Sequence, residues 1–389
     1  MPTLRISLLA GAMGIALAAC QTSSPTPQFP LAALADDALA DETNIIVLVG
    51  SEQAANALLV NATRRGYQLN DRQRLSGLDL VLMDFERPKG VSGPVAIGDM
   101  QGMEPSATAG VDHLFLLQAQ DGDPVISNAR LYADDLMGWP VDGCAANISV
   151  GIIDGDVDTD APGLSDALIV ERDFSEGAPA AGDHATAIAD LLVGPGKLRS
   201  TRLHAASVVS TNTPQTGAGV RELILALDWM LESDVKLVNI SLAGPYNALL
   251  DKAVGQAVDK GMIIVAAVGN DGPDAEPRYP AAFDDVIAVT AIDSALEVYS
   301  RAVRGEHIDF AAPGVDVFVT SVNEGQYLSG TSVAAPFVTA LIASDPFTLS
   351  SDRVADIRRH ISETAVDIGP TGRDPIFGTG LPKRTWDCD

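Results

Sequence analysis

The chain has 389 residues, 47% of them hydrophobic and 20% charged, a balance that builds a packed core and argues against disorder. Lys and Arg number 25 against 52 Asp and Glu, a formal charge of -27 with no basic stripe, which argues against nucleic acid as a partner. The length suits about two domains plus a leader.

The first 19 residues read as a secretory signal, with Arg5 ahead of the apolar run Ile6 to Ala16, too short for a membrane span. Leu17-Ala18-Ala19-Cys20 resembles the bacterial lipobox, which implies lipidation of Cys20. Gln21 behind it, rather than aspartate, points to an exported lipoprotein of the outer membrane. An ordinary cleaved signal that ends in cysteine is the alternative. Residues 20–41, rich in Ser, Thr, Pro, Ala and Asp, form a tether.

Residues 42–120 predict a small α+β domain. Asn44 to Val49 is a strand, and Ser51 caps a helix that puts Ala55, Leu58, Leu59 and Ala62 on one face before Gly66 closes it. Leu78 to Phe85 is a second strand and His113 to Leu117 a last one. Between them Pro94 to Met103 reads as a poor helix, interrupted by Gly98 and Gly102. Residues 121–138 are a linker.

From 139 to 389 buried-type strands alternate with helices. Strands are predicted at Ser149 to Ile153, Leu203 to Val209, Val235 to Leu242, Met262 to Val268 and Val286 to Ile292. A helix carries Val220, Leu223, Ile224, Leu227, Met230 and Leu231 at helical spacing, and another runs from Ala248 to Lys260. Such alternation predicts an α/β fold, a doubly wound parallel sheet with helices on both faces and its site beyond the carboxyl ends of the strands. A further helix is predicted from Arg353 to Glu363.

Four residues carry the chemistry. Ser332 opens an almost wholly apolar helix, where its hydroxyl stands at the positive end of the helix dipole as a nucleophile. A serine needs a base and an orienting carboxylate, and His184 and Asp154 supply them, Asp154 at the end of an apolar strand. Asn270 ends the run Ile263 to Gly269 and offers a side-chain donor to an oxyanion.

The order Asp, His, Asn, Ser, with these flanks, resembles the subtilisin-like serine proteases. The resemblance rests on Gly330-Thr331-Ser332-Val333-Ala334-Ala335-Pro336 against the family's G-T-S-M-A-x-P, on Ala267-Val268-Gly269-Asn270 against A-A-G-N, and on Ser241-Leu242-Ala243-Gly244 against S-L-G-G. It spans roughly residues 139–381, where Phe377 to Leu381 resembles the family's closing Gly-x-Gly turn. The resemblance implies a subtilisin-like fold and a serine endopeptidase acting on peptide or protein substrates. It also implies that residues 42–120 are a ferredoxin-like prodomain, an intramolecular inhibitor whose last strand lies in the active site. Substrate is expected to add as a strand along Ser241, Leu242, Ala243 and Gly244. Ala243 replaces the family's glycine, narrowing the primary pocket or shifting the peptide.

Two departures are visible: Asp154-Gly155-Asp156 for D-[ST]-G, and His184-Ala185-Thr186 for H-G-T. No cofactor is required. Asp156 and Asp158 are either solvated loop carboxylates or calcium ligands, without a spaced ligand motif. Export makes a Cys144 to Cys388 disulfide an expectation, with two free thiols as the alternative. A rival reading of the whole chain is a weak or inactive subtilase-fold lipoprotein that binds peptides or envelope partners.

Overall fold

The computed structural model describes residues 41–117, 120–121, 132–175, 182–210, 217–322, 325–351 and 353–388. The signal, Cys20 and all but the end of the tether lie outside the described residues.

The first domain runs β1 (Asp41–Val49), α1 (Glu52–Arg64), β2 (Gln68–Leu75), β3 (Leu80–Glu86), α2 (Gly93–Met103) and β4 (Thr108–Asp112). Its antiparallel sheet has the order β2-β3-β1-β4, a ferredoxin-like arrangement. Strand periodicity gives this sheet two apolar faces. Ile45, Val47 and Val49 pack with Ala55, Leu58 and Ala62 of α1, while Ile46 and Leu48 point the other way, into a core shared with the second domain.

Three expectations for this domain change. Strand β2 is absent from the sequence reading because its residues are mostly polar, which an edge strand with one wet face tolerates. Helix α2 is unbroken, since a side chain at Gly98 or Gly102 would meet nothing within 4 Å and the helix loses only propensity there. Strand β4 is likewise absent from the sequence reading and closes this sheet, and the strand expected at residues 113–117 lies outside it. The chain then leaves the domain as β5 (Leu114–Leu117) and β6 (Gln120–Asp121).

The second domain begins with α3 (Tyr132–Met137), inside the expected linker, and β7 (Cys144–Ala145). Ala133 and Met137 bury themselves in the core, which holds α3 in place. There follow β8 (Ser149–Asp154), β9 (Leu168–Asp173), α4 (Asp183–Val193), β10 (Leu198–Arg199), β11 (Arg202–Ser207), β12 (Gly217–Gly219) and α5 (Val220–Glu232). Then come β13 (Leu237–Ile240), β14 (Leu242–Ala243), α6 (Ala248–Asp259), β15 (Ile263–Ala267), β16 (Ile287–Ile292) and β17 (Phe310–Pro313). The described chain closes with β18 (Val317–Val319), β19 (Gln326–Ser329), α7 (Thr331–Ser344) and α8 (Val354–Ser362).

Seven strands form a parallel sheet in the order β17-β16-β15-β13-β8-β11-β9. Alternate side chains divide between its faces: Val150 and Ile152 pack with α4 and α7, whereas Ile153 packs with α5 and α6. This is the expected doubly wound arrangement. Gly151 lets α5 approach β8, since a Cβ there would sit 2.7 Å from the Met230 sulfur. Strands β9 and β17 escaped the sequence reading, β9 because an exposed edge leaves little apolar pattern and β17 because it is four residues long.

At the C-terminus, Asp309 accepts from Arg358 Nε at 2.9 Å, from Arg373 and from the backbone N–H of Ala288, tying α8 and the tail to the sheet. Cys144 and Cys388 are paired as a disulfide, with their Cα atoms 4.6 Å apart.

The two domains dock through side chains that satisfy helix ends. Asp112 accepts the Arg221 N–H at 3.2 Å in the first turn of α5. Asn247 caps α6, accepting from Leu249 N–H at 2.8 Å, and its Nδ2 donates to the Val111 carbonyl at 3.0 Å. The turn between β2 and β3 sits on α5, where Asp228 accepts the Leu78 N–H at 2.8 Å.

Burial pushes the Asp228 carboxyl up to about 6, with Glu232 adding to the shift and the Leu78 N–H opposing it. A raised carboxyl pKa means that the docked form holds a proton more tightly than a solvent-exposed carboxyl does. The contribution of this one group to folded stability is therefore fully present at acid pH and is lost as pH rises through about 6. Asp228→Asn should flatten the pH dependence of the melting temperature between about pH 4 and 7. An unchanged slope would show that this carboxyl does not govern it.

Candidate active site

Asp154 ends β8 at the carboxyl edge of the sheet and is fully buried. Its Oδ1 accepts the Gly155 N–H at 2.7 Å and meets His184 Nδ1 at 2.8 Å. Facing a carboxylate oxygen, Nδ1 is the donor of this pair, which leaves Nε2 as the ring nitrogen turned away from Asp154. Nε2 is shielded from solvent and has no hydrogen-bond partner among the described residues. The departures from the family motif are accommodated: Ala185 is buried, and a Cβ on Gly155 would lie 3.8 Å from its methyl, in ordinary contact.

His184 lies in the first turn of α4 and Ser332 in the first turn of α7, and these helices pack against each other. Ser332 is fully buried. Asn270 follows Gly269, whose φ of 103° turns the chain out of β15. Its Oδ1 accepts from both Thr331 N–H at 3.1 Å and Thr331 Oγ1 at 3.0 Å. A backbone N–H can only donate, which fixes the amide: oxygen faces Thr331 and Nδ2 faces away from it. The sequence reading had missed Thr331, whose hydroxyl also accepts the Gly269 N–H at 3.1 Å. Its place between Gly330 and Ser332 was the only signal.

Strand β14, holding Leu242 and Ala243, pairs with β5 of the chain's own N-terminal segment, Leu242 opposite Leu117 and Ala243 opposite Leu116. The second edge of β5 pairs with β12, a strand that its Gly-Ala-Gly sequence concealed. After residues 118–119, which lie outside the described residues, Gln120 lies opposite Ser329 and Asp121 opposite Leu328. The segment thus adds as a strand to β14 and β12 and, three residues before Ser332, to β19. Ala243 does not displace it, because the ladder continues through Leu116.

Phe115 is fully buried against Leu242, Ala218 and Val220. Gly244 opens its seat, since a Cβ there would lie 2.6 Å from the Phe115 ring. Among the described residues no group of three or more His, Cys, Asp or Glu is placed to hold a metal ion. Asp156 and Glu171 are both pushed up, first by burial and then by neighbouring carboxylates. No described helix is long and apolar enough to cross a membrane.

Gly244→Ala should drive Phe115 from its seat and forfeit about 2 kcal/mol of apolar burial. The expected result is faster cleavage of the 114–121 segment by an added protease; an unchanged digestion pattern would count against this packing.

Comparison with known proteins identifies the family. The model of the subtilase family matches residues 145–380. Subtilisin DY of Bacillus licheniformis is 32% identical over 277 residues, covering 67% of this chain and 95% of that protein. The minor extracellular protease Epr of Bacillus subtilis (strain 168) is 34% identical over 172 residues, 43% of this chain and 26% of that protein, so the match spans about a quarter of that relative. Among solved structures, fervidolysin from Fervidobacterium pennivorans, a keratinolytic enzyme related to subtilisin, matches with a TM-score of 0.70 at 20% identity. That match covers 89% of this chain and 61% of that one, a likeness of fold. The chain belongs to the subtilase family of serine endopeptidases.

Proposed function

We propose that the chain hydrolyses peptide bonds with Ser332 as nucleophile, His184 as base and Asp154 as its orienting carboxylate. The observation that carries this reading is the His184 imidazole, held at Nδ1 by Asp154 at 2.8 Å with its partnerless Nε2 on α4, the helix that packs against α7 and its Ser332. In this reaction Nε2 takes the hydroxyl proton as Ser332 Oγ attacks the carbonyl carbon, and returns it to the leaving amine. Asp154 offsets the transient imidazolium charge. The Asn270 amide and the Ser332 backbone N–H hold the oxyanion, the amide aimed by its two bonds from Thr331.

The N-terminal domain holds this site latent. Its β5 and β6 segments occupy the strands that a substrate would use, which supports an intramolecular inhibitor released by cleavage. Substrate side chains in the primary pocket are small or modestly apolar, in keeping with the Ala243 methyl. The signal and Cys20 support export and lipid anchoring at the cell envelope, with residues 20–41 as the tether.

A fluorophosphonate should label Ser332 in the protein freed of its N-terminal domain, and the Ser332→Ala variant should stay unlabelled by mass spectrometry. Asp154→Asn should keep the fold and lower kcat by about 10⁴-fold, and Asn270→Ala by about 10²–10³-fold. Labelling that survives Ser332→Ala, or none in any form, would overturn the assignment.

A further inference from the structure

Helix α7 contains Pro336, four residues after Ser332. In an α-helix the carbonyl of residue 332 takes the N–H of residue 336, and proline has none. The carbonyl is instead met from outside the helix, by Ser241 Oγ, which donates to it at 3.2 Å. Ser241 can spend its single proton there because its oxygen accepts from elsewhere, from Asn239 Nδ2 at 3.0 Å. Asn239 is oriented in turn by Thr339, whose hydroxyl stands 3.0 Å from Asn239 Oδ1.

Thr339 lies two turns beyond Ser332 on the same helix. Asn239 and Ser241 lie two residues apart and so share the strand face turned towards α7. Ser332, Thr339, Asn239 and Ser241 are all fully buried in surroundings that are otherwise apolar. Unsatisfied polar groups are costly there, so the network holds together or fails as a unit. Its direction depends on Thr339. A flipped Asn239 amide would turn its oxygen to Ser241, claim the Ser241 proton, and take it from the Ser332 carbonyl. The Thr339 hydroxyl also lies 3.1 Å from the Ala335 carbonyl, which already has the Thr339 backbone N–H as its helical partner. The proton is more useful at Asn239.

We propose that Thr339 and Asn239 are positioning residues for the nucleophile, acting through Ser241 to lock the Ser332 turn of α7 against the strand that binds substrate. This rests on Ser332 being the nucleophile. Neither residue touches substrate; each fixes how far the Ser332 hydroxyl stands from the peptide carbonyl laid along Ser241 to Gly244. A small error in that distance slows attack without weakening binding.

The test compares Thr339→Val, which keeps the shape and removes the hydroxyl, with Thr339→Ser, which restores it. Both are measured in the protein form whose Ser332 labels with a fluorophosphonate. Thr339→Val should lower kcat and the labelling rate about 10-fold while KM stays within about twofold, and Thr339→Ser should recover most of the loss. The double variant Ser241→Ala/Thr339→Val should be no slower than Ser241→Ala alone, because both cut one chain. Thr339→Ala serves the same comparisons if the valine is not accommodated. A parent that never labels overturns the nucleophile, and this inference with it. A parent that labels normally beside an unaltered Thr339→Val, or additive losses in the double variant, overturns the relay alone.

Discussion

Burial of α7 is the constraint on which the rest of the molecule depends. All fourteen residues from Thr331 to Ser344 are buried, so the helix has no wet face and must be enclosed on every side. The sheet covers it through β13, β15, β16 and β17, and α4 covers it from beside. An enclosed helix cannot slide, and its first turn therefore stands at a fixed place over the carboxyl ends of the strands. Asp154 and Asn270 are delivered to that place by the strands themselves.

This enclosure makes the polar contacts near the site matter for direction as well as for stability. Each buried polar group has to be matched, and the matches also set direction. Thr331 aims the Asn270 amide through two bonds, Asp154 sets the tautomer of His184, and Ser241 replaces the helix bond that Pro336 removes. Beyond the first turn a proline leaves one helical carbonyl without its N–H, and another donor has to reach it. Here that donor is Ser241, which ties the first turns of α7 to the end of β13.

The N-terminal domain is held by the same physics at larger scale. Its sheet has no single buried face: the even residues of β1 need the apolar flanks of α5 and α6 as much as the odd ones need α1. Asp112 and Asn247 close helix ends across the boundary, which directs the chain from β4 straight into the cleft as β5. Docking and occupation of the cleft are thus one event. Separation of the domain exposes apolar surface on both partners and uncovers the α5 N-terminus.

The sequence by itself determined the alternation of strands and helices, the parallel sheet and the family, and pointed to Asp154, His184, Asn270 and Ser332 as candidates, because local periodicity and short motifs encode them. It placed Ser51 as a cap and Ser241 to Gly244 as a strand-binding edge. Elements whose existence depends on a distant neighbour were invisible in it. Strand β2 is polar, β9 is exposed and β12 is nearly all glycine, and each becomes a strand only when another edge supplies its hydrogen bonds. Tertiary structure alone decided that Thr108–Asp112 closes the first sheet and that residues 114–117 pair with β12 as well as β14. It also decided that Thr339, seven residues past the serine and unremarkable in any motif, reaches Asn239. Pairing partners and buried hydrogen bonds join residues far apart in the chain, and no local pattern records which of them will meet.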